Sequence, residues 1–521
     1  MRRFAALLIG LAVPLSAVAP SMASTAPVET KADIAWSPCP ENPAVDCGTL
    51  AVPVDWNNPQ SGTITIGVAR RKAADPAARI GALVLGAGGP GGSGVNLVIG
   101  SHQRFSPELL RRFDIVGLDA RGTNRSNPVV CSASVLAESP GSPLIKNQAE
   151  FDAMVAFNEK LRADCRARTG PVFDHVDSLS TAKDLDAFRA ALGEQKISYW
   201  GGSYGTLLGQ NYAETFPGRV RAMMLDSTMD HSLGTAAFMA TETWGAQDGF
   251  NEFAAWCKRD TACLQNGKDL RAIWRDLLAK ADRGEVVDPS RPDVPVTAFE
   301  IIGKAFGSFY DPRNWPFLSQ TIDELSRSAV KAGTFAKPAA EKAANTQENV
   351  VRVPSRILCL DYRLPVRDFA EWNALMRSQA KIAPDMRYST LAIGPVALCL
   401  GQPDPIPNPQ HRLKVRTQTP VMVANSLHDP ATVYPWALST TAQLGRSGRL
   451  LSYEGWGHIV YGRSACTTSA IDDYILNLTV PRPGATCPAV PPAQAKTLGG
   501  NPLHEDFAPK APGLPGWGFP S

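Results

Sequence analysis

Several common functions leave marks that this chain lacks. It has no C-x-x-C pair, and no cysteine stands at ligand spacing from a histidine. That argues against a zinc site, and no metal or cofactor is expected. Its densest glycine stretch, Leu85 to Gly94, carries Pro90 in the middle and no lysine after it. A P-loop needs that lysine, and a dinucleotide fingerprint needs its glycines to open a helix. Excess charge is scarce as well. The net charge is +3, and Arg2 and Arg3 lie in a segment expected to be removed. A near-neutral protein has no basic field for nucleic acid or for an anionic membrane surface. Beyond the N-terminus no apolar run approaches the about 18 residues of a membrane span, so no stable membrane association is expected. Internal repeats are absent.

What is present reads as an ordinary globular protein. Of 521 residues, 44% are hydrophobic and 19% charged, enough for a large core. Residues 1–23 have the pattern of a secretory signal. Met1-Arg2-Arg3 is basic, Phe4 to Ala19 is apolar, and Ser21-Met22-Ala23 offers a cleavage site. The apolar run is short and contains Pro14, which disfavours a membrane anchor. Export fits the ten cysteines, an even number suited to disulfides. They fall as neighbours: Cys39 and Cys47, Cys131 and Cys165, Cys257 and Cys263, Cys359 and Cys399, Cys466 and Cys487. Spacing alone does not fix connectivity. Pairing of successive cysteines is the expectation, since each pair then closes a modest loop.

The body of the chain alternates strands and helices. Leu50 to Trp56 and Gly62 to Arg70 read as antiparallel strands. Ala82 to Leu85 and Phe113 to Asp119 are continuous apolar runs, as in buried parallel strands. A helix over Ser180 to Leu192, a strand over Lys196 to Trp200 and a strand over Val220 to Leu225 follow. This rhythm predicts an α/β fold with a mostly parallel, doubly wound sheet. From 232 to 410 the text turns helical, as in Phe250 to Lys258 and Asp269 to Ala281, and reads as an inserted cap. The sheet resumes at Pro420 to Ala424 and ends with Arg449 to Tyr453. The expected plan is a first core part over 24–231, the cap over 232–410, a second core part over 411–480, and a Pro/Gly-rich tail over 481–521 that wraps the surface.

The chemistry enters at Gly201-Gly202-Ser203-Tyr204-Gly205. Strand, G-x-S-x-G, then helix is the nucleophile elbow of an α/β-hydrolase. A nucleophilic serine needs a base and an acid that orients it. In this fold they follow in the order Ser, acid, His, each after a strand. Asp429 follows the strand at 420 and His458 the strand at 449. An Asp before Pro is more often a turn former, but order and placement together make Ser203, Asp429 and His458 the candidate triad. His428 competes on residue type, yet it precedes the last strand and breaks the order. An oxyanion hole needs bare backbone N–H groups. Tyr204 supplies one. Gly89 is favoured for the other, with Gly88 and Gly91 beside it.

At these residues the chain resembles a known family. Gly88-Gly89-Pro90-Gly91, Asp119-Ala120-Arg121-Gly122 and the elbow are similar to the prolyl-aminopeptidase branch of the α/β-hydrolases. Length, leader, cysteine pairs and Cys359 to Asp361 resemble the secreted tripeptidyl aminopeptidases of actinobacteria. Ala87 departs from the His that prolyl enzymes tend to carry before G-G-P-G, which favours that subgroup. The resemblance implies a secreted serine exopeptidase that releases short peptides, tripeptides in that family, from free N-termini without a cofactor; a monomer is expected. A cap carboxylate would then read the substrate ammonium. Glu242 and Asp361 are the candidates named for it, with Glu252 also in the cap, while Asp119 and Arg121 brace the fold. Two rival readings stand: a carboxylesterase or lipase on the same triad, and a non-catalytic binding protein on the same fold.

Overall fold

A computed structural model of the chain describes residues 33–288, 291–328, 349–492 and 501–507. The expected leader, residues 1–23, lies outside them. Ten strands build one sheet: β1 (Ser37–Cys39), β2 (Asn42–Asp55), β3 (Asn58–Arg71), β4 (Gly81–Gly86), β5 (Phe113–Leu118), β6 (Ile197–Gly202), β7 (Val220–Asp226), β8 (Val421–His428), β9 (Gly448–Trp456) and β10 (Ala485–Cys487). Their spatial order is β1-β2-β3-β5-β4-β6-β7-β8-β9-β10. The first three strands pair antiparallel, and β3 joins β5 antiparallel. From β5 to β10 every neighbour is parallel.

The apolar runs explain the parallel part. Every residue of β4 and of β6 is buried, because helices cover both faces. Strand alternation then divides them. Ala82 and Val84 join one core, while Leu83, Leu85 and Trp200 join the other. On one side lie α1 (Gly94–Ile99) and the late helix Ala465–Asn477; on the other lie α2 (Ser178–Ala191) and α3 (Gly205–Thr215). The fully buried pair Arg121–Asp184 ties the second side together. Arg121 donates to both carboxylate oxygens at 2.7 and 2.6 Å and to the carbonyls of Pro53, Val54 and His175.

The cap is led by α4 (Thr235–Arg259), one long helix where the sequence pattern marked only its last turns. Helices Leu270–Asp282, Ala298–Ser308, Trp315–Arg327, Phe369–Ile382 and Thr390–Leu398 pack with it around Phe250, Phe253, Trp256, Trp274 and Trp315. The first core part also touches the cap through a 22-residue helix, Gln148–Thr169, whose Asn158 donates to the carbonyls of Ala397 and Leu400. The five disulfides join successive cysteines: Cys39–Cys47, Cys131–Cys165, Cys257–Cys263, Cys359–Cys399 and Cys466–Cys487.

The tail departs from expectation. It does not simply wrap the surface. β10 extends the sheet edge beside β9, and the short helix Pro502–Asp506 buries Leu503 completely and Phe507 almost so. Pro and Gly correctly mark irregular backbone, but two isolated apolar residues carry no periodicity that would announce a core contact. Among the described residues no helix is long and apolar enough to cross a membrane.

Candidate active site

Ser203 stands at the end of β6 with φ 55°, a left-handed conformation that few non-glycine residues adopt. Close packing of bare backbone enforces it. A Cβ on Gly205 would strike the Gly86 carbonyl, and one on Gly201 would lie 2.7 Å from the Gly205 oxygen. The turn is pinned on both sides. Ser203 N–H donates to the Asp226 carbonyl at 3.0 Å, and Thr206 donates to the Ser203 carbonyl through N–H and hydroxyl.

Asp429 and His458 meet as their order in the chain suggested. His458 Nδ1 lies 3.0 Å from each oxygen of Asp429, and both residues are only 2% exposed. Asp429 is also a turn former. Its Oδ1 accepts the N–H groups of Ala431 and Thr432 at 2.9 Å, and its Oδ2 accepts the Thr432 hydroxyl at 3.1 Å. A carboxylate can only accept, so Nδ1 carries the proton and leaves Nε2 as the basic nitrogen. The cap holds the same histidine. The Tyr310 carbonyl accepts the His458 backbone N–H at 3.0 Å and its ring stands edge-on to the imidazole at 5.2 Å, while Arg463 of the histidine loop itself donates to the His458 carbonyl at 2.6 Å.

A link between the serine and histidine loops went unread in the sequence. The Asp226 carboxylate accepts the N–H groups of Val460 and Tyr461 at 2.7 and 2.9 Å, while its carbonyl takes Ser203 N–H. Ser227, at φ 58°, accepts Ile459 N–H at 2.9 Å. Burial pushes Asp226 up to about 6, with the charge of Asp429 adding to the rise, against those two N–H donors and the charge of His458. No local motif marks this bridge; an Asp ending a strand before the cap was its only trace.

The oxyanion candidates flank Ser203. A Cβ on Gly88 would lie 2.9 Å from Ser203 Cβ, so the glycine loop runs directly against Ser203. Gly89 has φ 115°, and Asn124 holds the loop by donating to the Gly91 carbonyl at 2.9 Å. Asp119 anchors its far end, accepting Ser93 Oγ and the N–H groups of Val95 and Arg125. Tyr204 opens α3, and its hydroxyl donates to Asp361 at 2.7 Å.

The cap carboxylates separate sharply. Asp361 is completely buried and saturated: Ser178 N–H and hydroxyl, Asn408 and Tyr204 all donate to it within 2.9 Å. Burial, with the charge of Asp177, pushes it up to about 7. It anchors Tyr204 from within and has no free face for a substrate, which corrects its expected binding role. Glu242 is 2% exposed and has one long contact, from the Ser389 hydroxyl at 3.4 Å. Burial, then the nearby charge of Asp429, pushes its carboxyl well above the usual range. Glu252 accepts Trp456 Nε1 at 2.8 Å, and His428 pairs with Asp248 at 2.8 Å and stacks on Trp456. His428 therefore belongs to a clasp between cap and core. A surface cleft of about 430 Å³ beside Arg70, Arg71 and His102 lies on the antiparallel strands, away from these groups.

The family model for the alpha/beta hydrolase fold matches residues 81–463. The chain belongs to the α/β-hydrolase family. It is a serine hydrolase of that family. It is 31% identical to the serine protease Hip1 of Mycobacterium tuberculosis over 476 residues, covering 87% of this chain and 91% of that one. The tripeptidyl aminopeptidase of Streptomyces coelicolor is 27% identical, with 88% and 86% covered. Carboxylesterase B of Mycobacterium tuberculosis is 30% identical, with 85% and 86% covered.

Proposed function

We propose that this α/β-hydrolase is a secreted serine exopeptidase that releases short peptides, tripeptides in the first instance, from free N-termini. The observation that carries the chemistry is the Asp429–His458 pair, buried and tied through Asp226 to the elbow of Ser203. In this reading His458 Nε2 takes the Ser203 hydroxyl proton as Oγ attacks the scissile carbonyl. The N–H groups of Gly89 and Tyr204 hold the developing oxyanion. His458 returns the proton to the leaving amine, and a water, activated by the same nitrogen, releases the acyl peptide.

Glu242 is the proposed reader of the substrate ammonium. A buried carboxylate with one long hydrogen bond has acceptor capacity left over, and an ammonium would supply both donors and charge. The relatives named as a serine protease and a tripeptidyl aminopeptidase support a peptide substrate. Five disulfides and the signal-like residues 1–23 support export.

The relative named carboxylesterase B favours a second reading, ester hydrolysis on the same residues. Turnover of a tripeptide amide against a short acyl ester separates the two. The exopeptidase reading expects amide cleavage, and Ser203→Ala should lower it by roughly 10³-fold or more. Cleavage of esters alone would leave the second reading. Undiminished turnover by clean Ser203→Ala protein, or a wild type that no covalent serine probe labels, would remove both.

A further inference from the structure

The C-terminal segment reaches the reacting groups. The Phe507 ring is pressed against two glycines of the site: a Cβ on Gly88 or on Gly202 would lie 2.7 Å from its carbons. The same Cβ on Gly88 would lie 2.9 Å from Ser203 Cβ, so the ring is one atomic layer from the nucleophile. It stands edge-on to Trp200 of β6 at 5.8 Å and to the His458 ring at 6.4 Å. One side chain thus touches the glycine loop after β4, the elbow after β6 and the histidine loop after β9.

The segment is fastened where it is. Arg104 donates to Asp506 Oδ1 at 2.8 Å, and Asn501 donates to the Arg104 carbonyl at 2.9 Å. His504 Nε2 lies 2.8 Å from the Tyr461 carbonyl, which can only accept, so Nε2–H donates. Leu503 is completely buried. Such fastening is what a wedge needs if it is to resist displacement when substrate binds.

We propose that Phe507 is a positioning residue: it sets the spacing of the oxyanion loop, Ser203 and His458, and so acts on turnover rather than on binding. This rests on Ser203 and His458 being the catalytic pair. Removing the ring leaves a void that the three loops can relax into, and displacement of reacting groups by about 1 Å costs on the order of 10²-fold in rate.

The test compares Phe507→Ala, Phe507→Leu and Arg104→Ala with wild type, each normalised to the folded fraction measured by near-UV circular dichroism. Phe507→Ala should lower kcat by about 10²-fold with KM within about threefold, and Phe507→Leu should recover most of it. Arg104→Ala should cost less, and should cost nothing further in the Phe507→Ala background. Normalised kcat of Phe507→Ala within about threefold of wild type would overturn the proposal. So would a loss accounted for wholly by the unfolded fraction, since that is a fold effect. Failure of the underlying reading appears differently, as a wild-type protein that does not label at Ser203.

Discussion

The sheet-side carboxylates of the site and Glu242 of the cap are partnered in opposite ways. On the sheet side Asp429, Asp226 and Asp119 are each ringed by donors, most of them backbone N–H groups of neighbouring loops. On the cap side Glu242 is as deeply buried and has one hydroxyl at 3.4 Å. Asp361 sits in the cap but belongs with the first group, because its donors come from Ser178 and Tyr204 of the core and from Asn408. The contrast teaches how to separate scaffold from recognition. A saturated carboxylate fixes loops relative to one another. An under-satisfied one keeps capacity for something that arrives later.

The comparison breaks most visibly on the sheet side. Asp429→Asn puts an amide N–H where His458 Nδ1–H must donate, favouring the wrong tautomer. Steady-state kinetics should show kcat lower by about 10⁴-fold with the fold intact. Next comes the cap. Glu242→Gln should raise KM for free-N-terminus peptides by about 10- to 100-fold, the scale of a hydrogen bond to a charged group, and leave acetylated peptides unchanged. Equal effects on both would make Glu242 part of the scaffold after all.

The smallest effect is thermodynamic. Asp361 keeps its proton up to about pH 7 in the fold, whereas an unfolded Asp loses it near about pH 4. Between those limits the folded state binds the extra proton, so this group's contribution to stability is lost as pH rises through the window. Asp361→Asn removes that loss. Thermal melts should show wild-type Tm falling relative to the variant from about pH 4 to about pH 7, by about 1 °C per kcal/mol for a chain of this length. Parallel curves would place its titration elsewhere.

The elbow was legible because its whole signal lies in five consecutive residues between a strand and a helix. Asp429 and His458 were legible because strand ends and chain order constrain them. Glu242 and Asp361 were not separable in sequence: both are carboxylates on helical segments, and what distinguishes them is donors from residues far along the chain. Tyr310 and Asp226 were missed for the same reason, since their partners on the histidine loop are 148 and 234 or more positions away. Phe507 was hidden by its surroundings. In a Pro/Gly-rich tail a single aromatic has no period to reveal its face, and only the fold brings it to Gly88 and Gly202.

The most direct test of the exopeptidase reading is the ratio of kcat/KM for a tripeptide amide with a free N-terminus to the same amide acetylated. A cap that reads the ammonium through Glu242 predicts a ratio of about 10 or more that collapses in Glu242→Gln. Equal rates on the free and acetylated forms would contradict it, leaving a serine hydrolase whose cap does not recognise the N-terminus.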